Sequence, residues 1–279
     1  MKRIFSDIEL KYINDNYQHK TYAEITDELN KFNEVKKTPK QVRTKAAVMG
    51  LSKTKHSYNR NFFNSIDNYI KSYWLGFVFA DGYITHKVSK DKTTSSEVSI
   101  ELKQSDEEHL IKFEQALGVK HPKIKHRITK DRYIKGVMTQ GGTVMSYVRH
   151  YSADMYRDLV SHGVVQNKTY RSEYPSVDSR LFMPFLLGVI DGDGYIYHGK
   201  GIQIGIVNPN GHFLNYIKDT LSTEFDIKSY LYKEDDWKYR LVVCGDNAIN
   251  LGNLMYDSCD IYLGRKKNVF DSFKHGLAI

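Results

Sequence analysis

Two carboxylates stand out in this 279-residue chain because of what precedes them. Asp81 closes the run W-L-G-F-V-F-A-D-G, Trp74 to Gly82, and Asp193 closes L-L-G-V-I-D-G-D-G, Leu186 to Gly194. Each run is apolar, has a small residue at its third and seventh positions, and ends in Asp-Gly. The pairs Gly76/Ala80 and Gly188/Gly192 are four residues apart, so each lines one helix face and lets two backbones approach closely. Asp81 and Asp193 are then neighbours at the C-terminal ends of two touching helices. Two carboxylates about 4 Å apart repel by about 4 kcal/mol at an effective dielectric of 20, and the negative helix ends add to this. A bound divalent cation is the obvious compensation. Gly82 and Gly194 suit the left-handed residue that closes a helix. Two ordinary core helices ending in Asp-Gly turns would fit one such run; two runs offset by 112 residues favour a pair.

The elements that must hold these acids repeat as well. After Gly82 a strand starts at Tyr83-Ile84-Thr85, a Lys/Ser/Thr-rich loop spans 87–96, and Val98, Ile100 and Leu102 alternate with polar residues. Ser105-x-x-Glu108 caps a helix carrying Leu110, Phe113 and Leu117, followed by strands near 124–133 and 144–151 and a helix over 152–160. The second half repeats this order: a strand at 194–197, its partner at 202–206, and a helix opened by Asn208-Pro209. Strands at 227–232 and 237–244 follow, then a helix capped by Asp246. The fold class is therefore α+β, two αββαββα halves at 67–172 and 173–279.

Residues 1–55 form a separate all-α unit, joined through a linker at 56–66. Ser6-x-x-Glu9, Thr21-x-x-Glu24 and Thr38-x-x-Gln41 are three capping boxes, with Pro39 at a first helical position. Ile8, Leu10 and Ile13 mark the first helix; Ala23, Ile25 and Leu29 the second; Val42, Ala46 and Met49 the third, ended by Gly50. Residues 1–60 carry 13 basic and 7 acidic side chains, a surplus of 6 out of the whole chain's net +8. Three short helices with a basic third one match a helix-turn-helix pattern. On that helix Lys40, Gln41, Arg43, Thr44 and Lys45 avoid the apolar stripe and are the candidates for DNA contact. A solvated basic face on a structural cap is the plainer alternative.

The paired runs resemble the signature of the LAGLIDADG homing endonucleases in the single-chain, two-motif form, and Y-W-L-G-F-V-F-A-D-G-Y-I is similar to their bacterial and phage branch. The resemblance implies a saddle of two antiparallel sheets related by a pseudo-twofold through the signature helices. It implies that Asp81 and Asp193 bind the divalent ions, helped by the carbonyls of Ala80 and Gly192. Asp191, whose counterpart is Phe79, stays outside the metal set as a structural residue or cap. Gln104 and Asn208 take the polar positions near the attacking water. Lys168 and Lys266 complete the two sites, with Lys267 also toward phosphate. The expected cofactor is Mg²⁺, with Mn²⁺ substituting and Ca²⁺ supporting binding without cleavage. The expected partner of a monomer is duplex DNA with a long pseudo-symmetric target.

Composition agrees with that partner. A pI near 9.1 suggests a polyanion, and Cys244 and Cys259 form neither a disulfide framework nor a zinc site, so a reducing, cytoplasmic setting in a bacterial or phage context is expected. No apolar stretch approaches the roughly 20 residues of a membrane span, and Met1-Lys2-Arg3 does not open a signal peptide. The GIY-YIG and His-Asn-His nuclease classes lack their partner residues, and the ends lack the splicing residues of a whole intein. Two alternatives stay open: a binder without cleavage, either an intron-RNA maturase or a DNA-binding regulator, and a strand-specific nickase.

Overall fold

Each of the three capping boxes starts a helix. In α1 (Asp7–Asn16), α2 (Tyr22–Phe32) and α3 (Pro39–Val48) the cap hydroxyl accepts from the third backbone N–H, and the Glu or Gln side chain returns to the cap's own N–H. The computed structural model describes residues 5–17, 20–33, 35–51, 58–89, 94–134, 137–166, 172–235 and 237–276. The chain divides into two units, Met1–Ser57 and Tyr58–Ile279. The small unit closes over Phe5, Ile13, Ile25, Leu29, Val42 and Ala46. Ile8, 83% exposed, and Ala23 lie outside that core; Phe5 and Glu9 take the buried positions, Glu9 pairing with buried Lys37 at 3.4 Å. Gly50 does take the left-handed conformation (φ +72°). Thr38→Ala removes one half of the third box, a loss of about 1 kcal/mol. The amides of α3 are expected to exchange about fivefold faster by hydrogen-exchange NMR.

The larger unit is built on α4 (Tyr69–Asp81) and α7 (Ser179–Asp193), whose inner residues are buried almost without interruption. Glycine lets them meet. A Cβ on Gly76 would overlap the Phe185 carbonyl and stand 3.1 Å from Val189 N; one on Gly188 would overlap the Tyr73 carbonyl and stand 2.8 Å from Phe77 N. Each contact is the other displaced by 112 residues, which is the signature of a pseudo-twofold crossing.

Gly82 and Gly194 are not left-handed. Their φ values are −73° and −85°, both with extended ψ, and each begins a strand directly. Glycine is required there by space: a Cβ would stand 2.8 Å from Val78 Cα or 2.7 Å from Ile190 Cα.

Each signature helix runs into a four-stranded antiparallel sheet of the same order. β1 (Gly82–Val88), β2 (Thr94–Lys103), β6 (Val144–Tyr151) and β3 (Lys125–Ile128) form the first, in the order β1-β2-β6-β3. β7 (Gly194–His198), β8 (Ile202–Asn208), β10 (Lys238–Cys244) and β9 (Tyr230–Asp235) form the second, in the order β7-β8-β10-β9. A separate hairpin, β4 (Arg132–Ile134) with β5 (Val137–Thr139), is inserted before β6. Helices α5 (Glu107–Ala116) and α6 (Ala153–Ser161) belong to the first half, and α8 (Gly211–Phe225), α9 (Gly245–Ser258) and α10 (Gly264–Lys274) to the second. The fold is thus α+β with antiparallel sheets in two matching halves.

Several local expectations change. The strands β1 and β2 extend to Val88 and from Thr94, shortening the expected loop at 87–96. Ser105 does not cap α5, because Gln104–Asp106 winds into a 3₁₀ turn first. Asn210, not Asn208, caps α8, and Asp246 caps nothing, since Gly245 (φ +58°) already opens α9. Residues 58–66 are not a linker. Phe62 and Phe63 enter the core, Asn59 N donates to Leu117 O, and Arg60 pairs with Asp154 at 2.7 Å. No helix of the described residues is long and apolar enough to cross a membrane.

Candidate active site

Asp81 and Asp193 are the last residues of α4 and α7, and both are exposed. The helix ends adjoin. A Cβ on Gly192 would overlap that of Ala80 and lie 3.2 Å from Asp81 N. Both carboxylates also act electrostatically on one buried cation, Lys266. Beside Asp193 a pocket of about 240 Å³ is lined by Phe79, Ala80 and Asn208. Among the described residues no three His, Cys, Asp or Glu side chains group as a closed metal cage. Two carboxylates and the carbonyls of the two helix ends could offer a cation oxygen ligands only.

Gln104 follows β2 directly and Asn208 is the last residue of β8, so the two are not equivalent. Gly82 pairs with Ile100, and Gln104 lies four residues further on; Gly194 pairs with Ile206, and Asn208 lies only two further. Asn208 is therefore one full pleat, about 7 Å, nearer its helix end than Gln104. Asn208 lines the pocket with Asp193 and accepts from Asn210 N at 2.9 Å. Gln104 is exposed on the 3₁₀ turn, whose Asp106 is tied to Arg265 of the other half at 3.0 Å.

Lys266 does something the sequence did not suggest. It is 5% exposed, and its ammonium donates to Ile190 O (2.6 Å), Asp191 O (2.8 Å) and Gly194 O (2.6 Å). Ile190 O, which also accepts from Gly194 N, and Asp191 O belong to the last turn of α7, and Gly194 is its C-cap, so Lys266 caps the helix that carries Asp193. All three of its donors are used on backbone. Burial lowers its pKa to about 8 despite the nearby acids. Lys168 falls outside the described residues. Lys267, expected toward phosphate, instead holds Asp271 at 2.6 and 2.7 Å and lies over the Tyr256 ring. In the small unit Lys40, Gln41, Arg43 and Thr44 are exposed and Lys45 is half-buried, while the Gln41 amide is already engaged in its capping box.

Asp191 is structural. It is fully buried, accepts from Tyr73 OH (2.7 Å) and from Leu263 N (2.8 Å), and so fixes the start of α10 and with it Lys266. Tyr73 OH in turn stands 2.9 Å from His109 Nε2, which joins both halves through one buried chain. Burial holds His109 neutral, with its pKa down to about 3, and raises Asp191 to about 6. A carboxyl raised in the fold gives stability that is full below its unfolded value near 4 and lost as pH rises through 6. Lys266, lowered in the fold, gives stability that is lost as pH falls through 8. Asp191→Asn keeps an acceptor for Tyr73 and Leu263, and removes the first of these two pH dependences. Between pH 4 and 6 the wild type should lose roughly 2 kcal/mol relative to this variant in urea unfolding. Parallel curves would remove Asp191 from the account.

Tyr73, His109 and Arg265 were not foreseen. A tyrosine inside an apolar run was the available signal for the first, since a buried phenol needs a partner.

The model of a family described as "LAGLIDADG-like domain" matches residues 183–252. No curated protein matches the chain. Among solved structures, it is similar to a variant of I-SmaMI at 12% identity and a TM-score of 0.49, covering 73% of this chain and 89% of that one. It is similar to I-DmoI in complex with DNA and Ca at 17% identity and a TM-score of 0.46, covering 67% and 88%. The N-terminal LAGLIDADG domain of DUF199/WhiA aligns at 15% identity and a TM-score of 0.38, covering 70% and 88%.

Proposed function

We propose that this chain, which carries a LAGLIDADG-like domain at residues 183–252 and a second copy of the same plan before it, is a monomeric, metal-dependent endonuclease that cuts both strands of a specific DNA duplex. The observation that carries this reading is the exposed pair Asp81 and Asp193 at adjoining helix ends, where the helix dipoles disfavour negative charge. Asp81 and Asp193, with the carbonyls of Ala80 and Gly192, would hold divalent ions, Mg²⁺ first and Mn²⁺ in its place. Bound there, the ions supply an activated water, charge neutralisation on the phosphate and help to the leaving oxygen. Ca²⁺ would support binding without cleavage.

The chain's own residues do the rest. Asn208 and Gln104 offer amides that orient water near each strand. Lys266 holds the end of α7 and supplies fixed positive charge behind both acids. The two sheets form a saddle whose outward faces read the major groove on either side of a staggered minor-groove cut. Lys40, Arg43, Thr44 and Lys45 add contacts from the small unit, with Gln41 beside them.

The unequal register of Gln104 and Asn208 supports a further feature: the two strands are cut at different rates, through a nicked intermediate. In the limit the enzyme is a nickase. The test is supercoiled plasmid carrying the gene's own insertion locus without the insert, incubated in Mg²⁺ and in Ca²⁺. Linear product in Mg²⁺ alone, preceded by open circle, is expected. Tight binding with no cut in Mg²⁺ or Mn²⁺ would remove the nuclease reading for that DNA and put regulator or intron-RNA binder ahead.

A further inference from the structure

Resting on the endonuclease reading, we infer that the two sheet faces read half-sites of opposite base composition. The β1-β2-β6-β3 face takes a G·C-rich half and the β7-β8-β10-β9 face an A·T-rich half.

In the first sheet Ile100, Leu102 and Val148 turn into the core, which leaves Glu97, Glu101 and Arg149 on the outward face with Arg127 of the edge strand. Arg149 Nε lies 2.9 Å from Glu97, and Arg127 Nε lies 2.8 Å from Glu101, with a second bond from its Nη2. These pairings, with the Tyr151 side chain also bonded to Arg149, fix each guanidinium on the sheet and leave part of its five N–H donors. The donors left match guanine O6 and N7, and a carboxylate accepts from cytosine N4. Exposed Lys103 and Lys125 sit at the same level of the face, adding donors for guanine. Both bases of a G·C pair are served.

The second face differs in proportion. Ile204, Ile206, Leu241 and Val243 turn inward, and four tyrosines take outward positions, against Tyr83, Tyr147 and Tyr151 on the first face. Tyr230 and Tyr232 stack at 6.5 Å, Tyr197 is exposed, and the Tyr195 ring lies over Gly205 with its phenol where a Cβ would be. The guanidinium on this face, Arg240, is tied to Glu234 and lies over Tyr195 at 5.8 Å. Exposed Gln203 has the amide that pairs bidentately with adenine N6 and N7, while the rings and half-buried Val207 suit the thymine methyl. Gln203 and Val207 stand here beside a single Arg–Glu pair, where the first face has two.

The test is selection of the full chain, in Ca²⁺, from a randomised duplex library, with the selected halves oriented by a DNA-cleaving iron chelate attached to Cys244. That thiol is exposed where β10 ends, whereas Cys259 is buried. The chelate should cut in an A·T-rich half, with a G·C-rich half opposite. Arg127→Ala with Arg149→Ala should lower discrimination about 10-fold or more in the G·C half alone, and Gln203→Ala in the A·T half alone. Equal composition in the two halves, or cutting in the G·C half, overturns the inference while DNA binding stands. Failure to enrich any duplex removes the endonuclease reading and this inference together.

Discussion

Asp193→Asn is expected to lower double-strand cleavage by about 10³-fold or more, equal to about 4 kcal/mol of transition-state stabilisation, while Ca²⁺-supported DNA binding stays within a few-fold. The substitution keeps size and shape and removes one negative charge, so what it loses is the ability to hold a hard cation. Asp81→Asn should do the same for the other strand. The stability readout should move the opposite way. Each carboxylate sits at a helix C-terminus that adjoins another such end, a cost of roughly 0.5–1 kcal/mol per surface charge that the Lys266 ammonium offsets in part. Neutralising either should leave thermal stability unchanged or slightly raised. Activity lost with stability kept marks a site maintained against the interests of the fold. Should both variants unfold several degrees lower and cut normally, the acids would be structural caps. If Asp193→Asn yields open circle that never becomes linear, each acid serves one strand.

Much of this arrangement was legible because it rests on local rules. Three capping boxes are short-range chemistry, and all three formed as the residues dictate. The small residues Gly76 and Gly188 announced a close crossing because few other arrangements require glycine four residues from another small residue in an apolar helix. What failed was also local in appearance, but long-range in cause. Ser105 and Asp246 have the right type and spacing for caps, yet β2 runs into a 3₁₀ turn and Gly245 opens α9, so the backbone gave those hydroxyl and carboxylate groups no helix start to cap. Gly82 and Gly194 read as left-handed terminators, while the demand on them is room beside Val78 and Ile190. Phe62 and Phe63 lie in a polar stretch that reads as a linker, and their burial comes from a core whose other members lie far along the chain. Lys266 lies 72 residues beyond the carbonyl of Gly194 that it caps, a pairing no periodicity can reveal. The mismatch of Asp191 with Phe79 did carry information: it marked the one signature position where the halves differ in polarity, and a buried carboxylate there implies partners brought from outside the helix.

Gly188→Ala carries the largest expected loss of stability, at least about 3 kcal/mol, because its new methyl group would enter backbone. Most overpacking can be relieved by rotating a neighbouring side chain. Here the obstruction is the Tyr73 carbonyl, with Phe77 N 2.8 Å away, so α4 and α7 must separate or slide. Separation would also lengthen the Tyr73–Asp191 hydrogen bond and loosen the base of α10, which Asp191 fixes through Leu263 N. Gly76→Ala should cost a similar amount by the mirror contact with Phe185. Gly264→Ala is the control: it starts α10 with open space around it, and should be neutral or slightly stabilising. Chemical unfolding of the three variants separates the readings. If Gly188→Ala loses no more than the control, the close crossing is not what holds the halves together. Gly192→Ala is the intermediate case, since its methyl meets the Ala80 side chain and lies 3.2 Å from Asp81 N. That contact sits at the helix ends rather than mid-crossing, where fraying can absorb it. Its expected signature is therefore a modest loss of stability with a larger loss of cleavage, as the two aspartates are pushed apart.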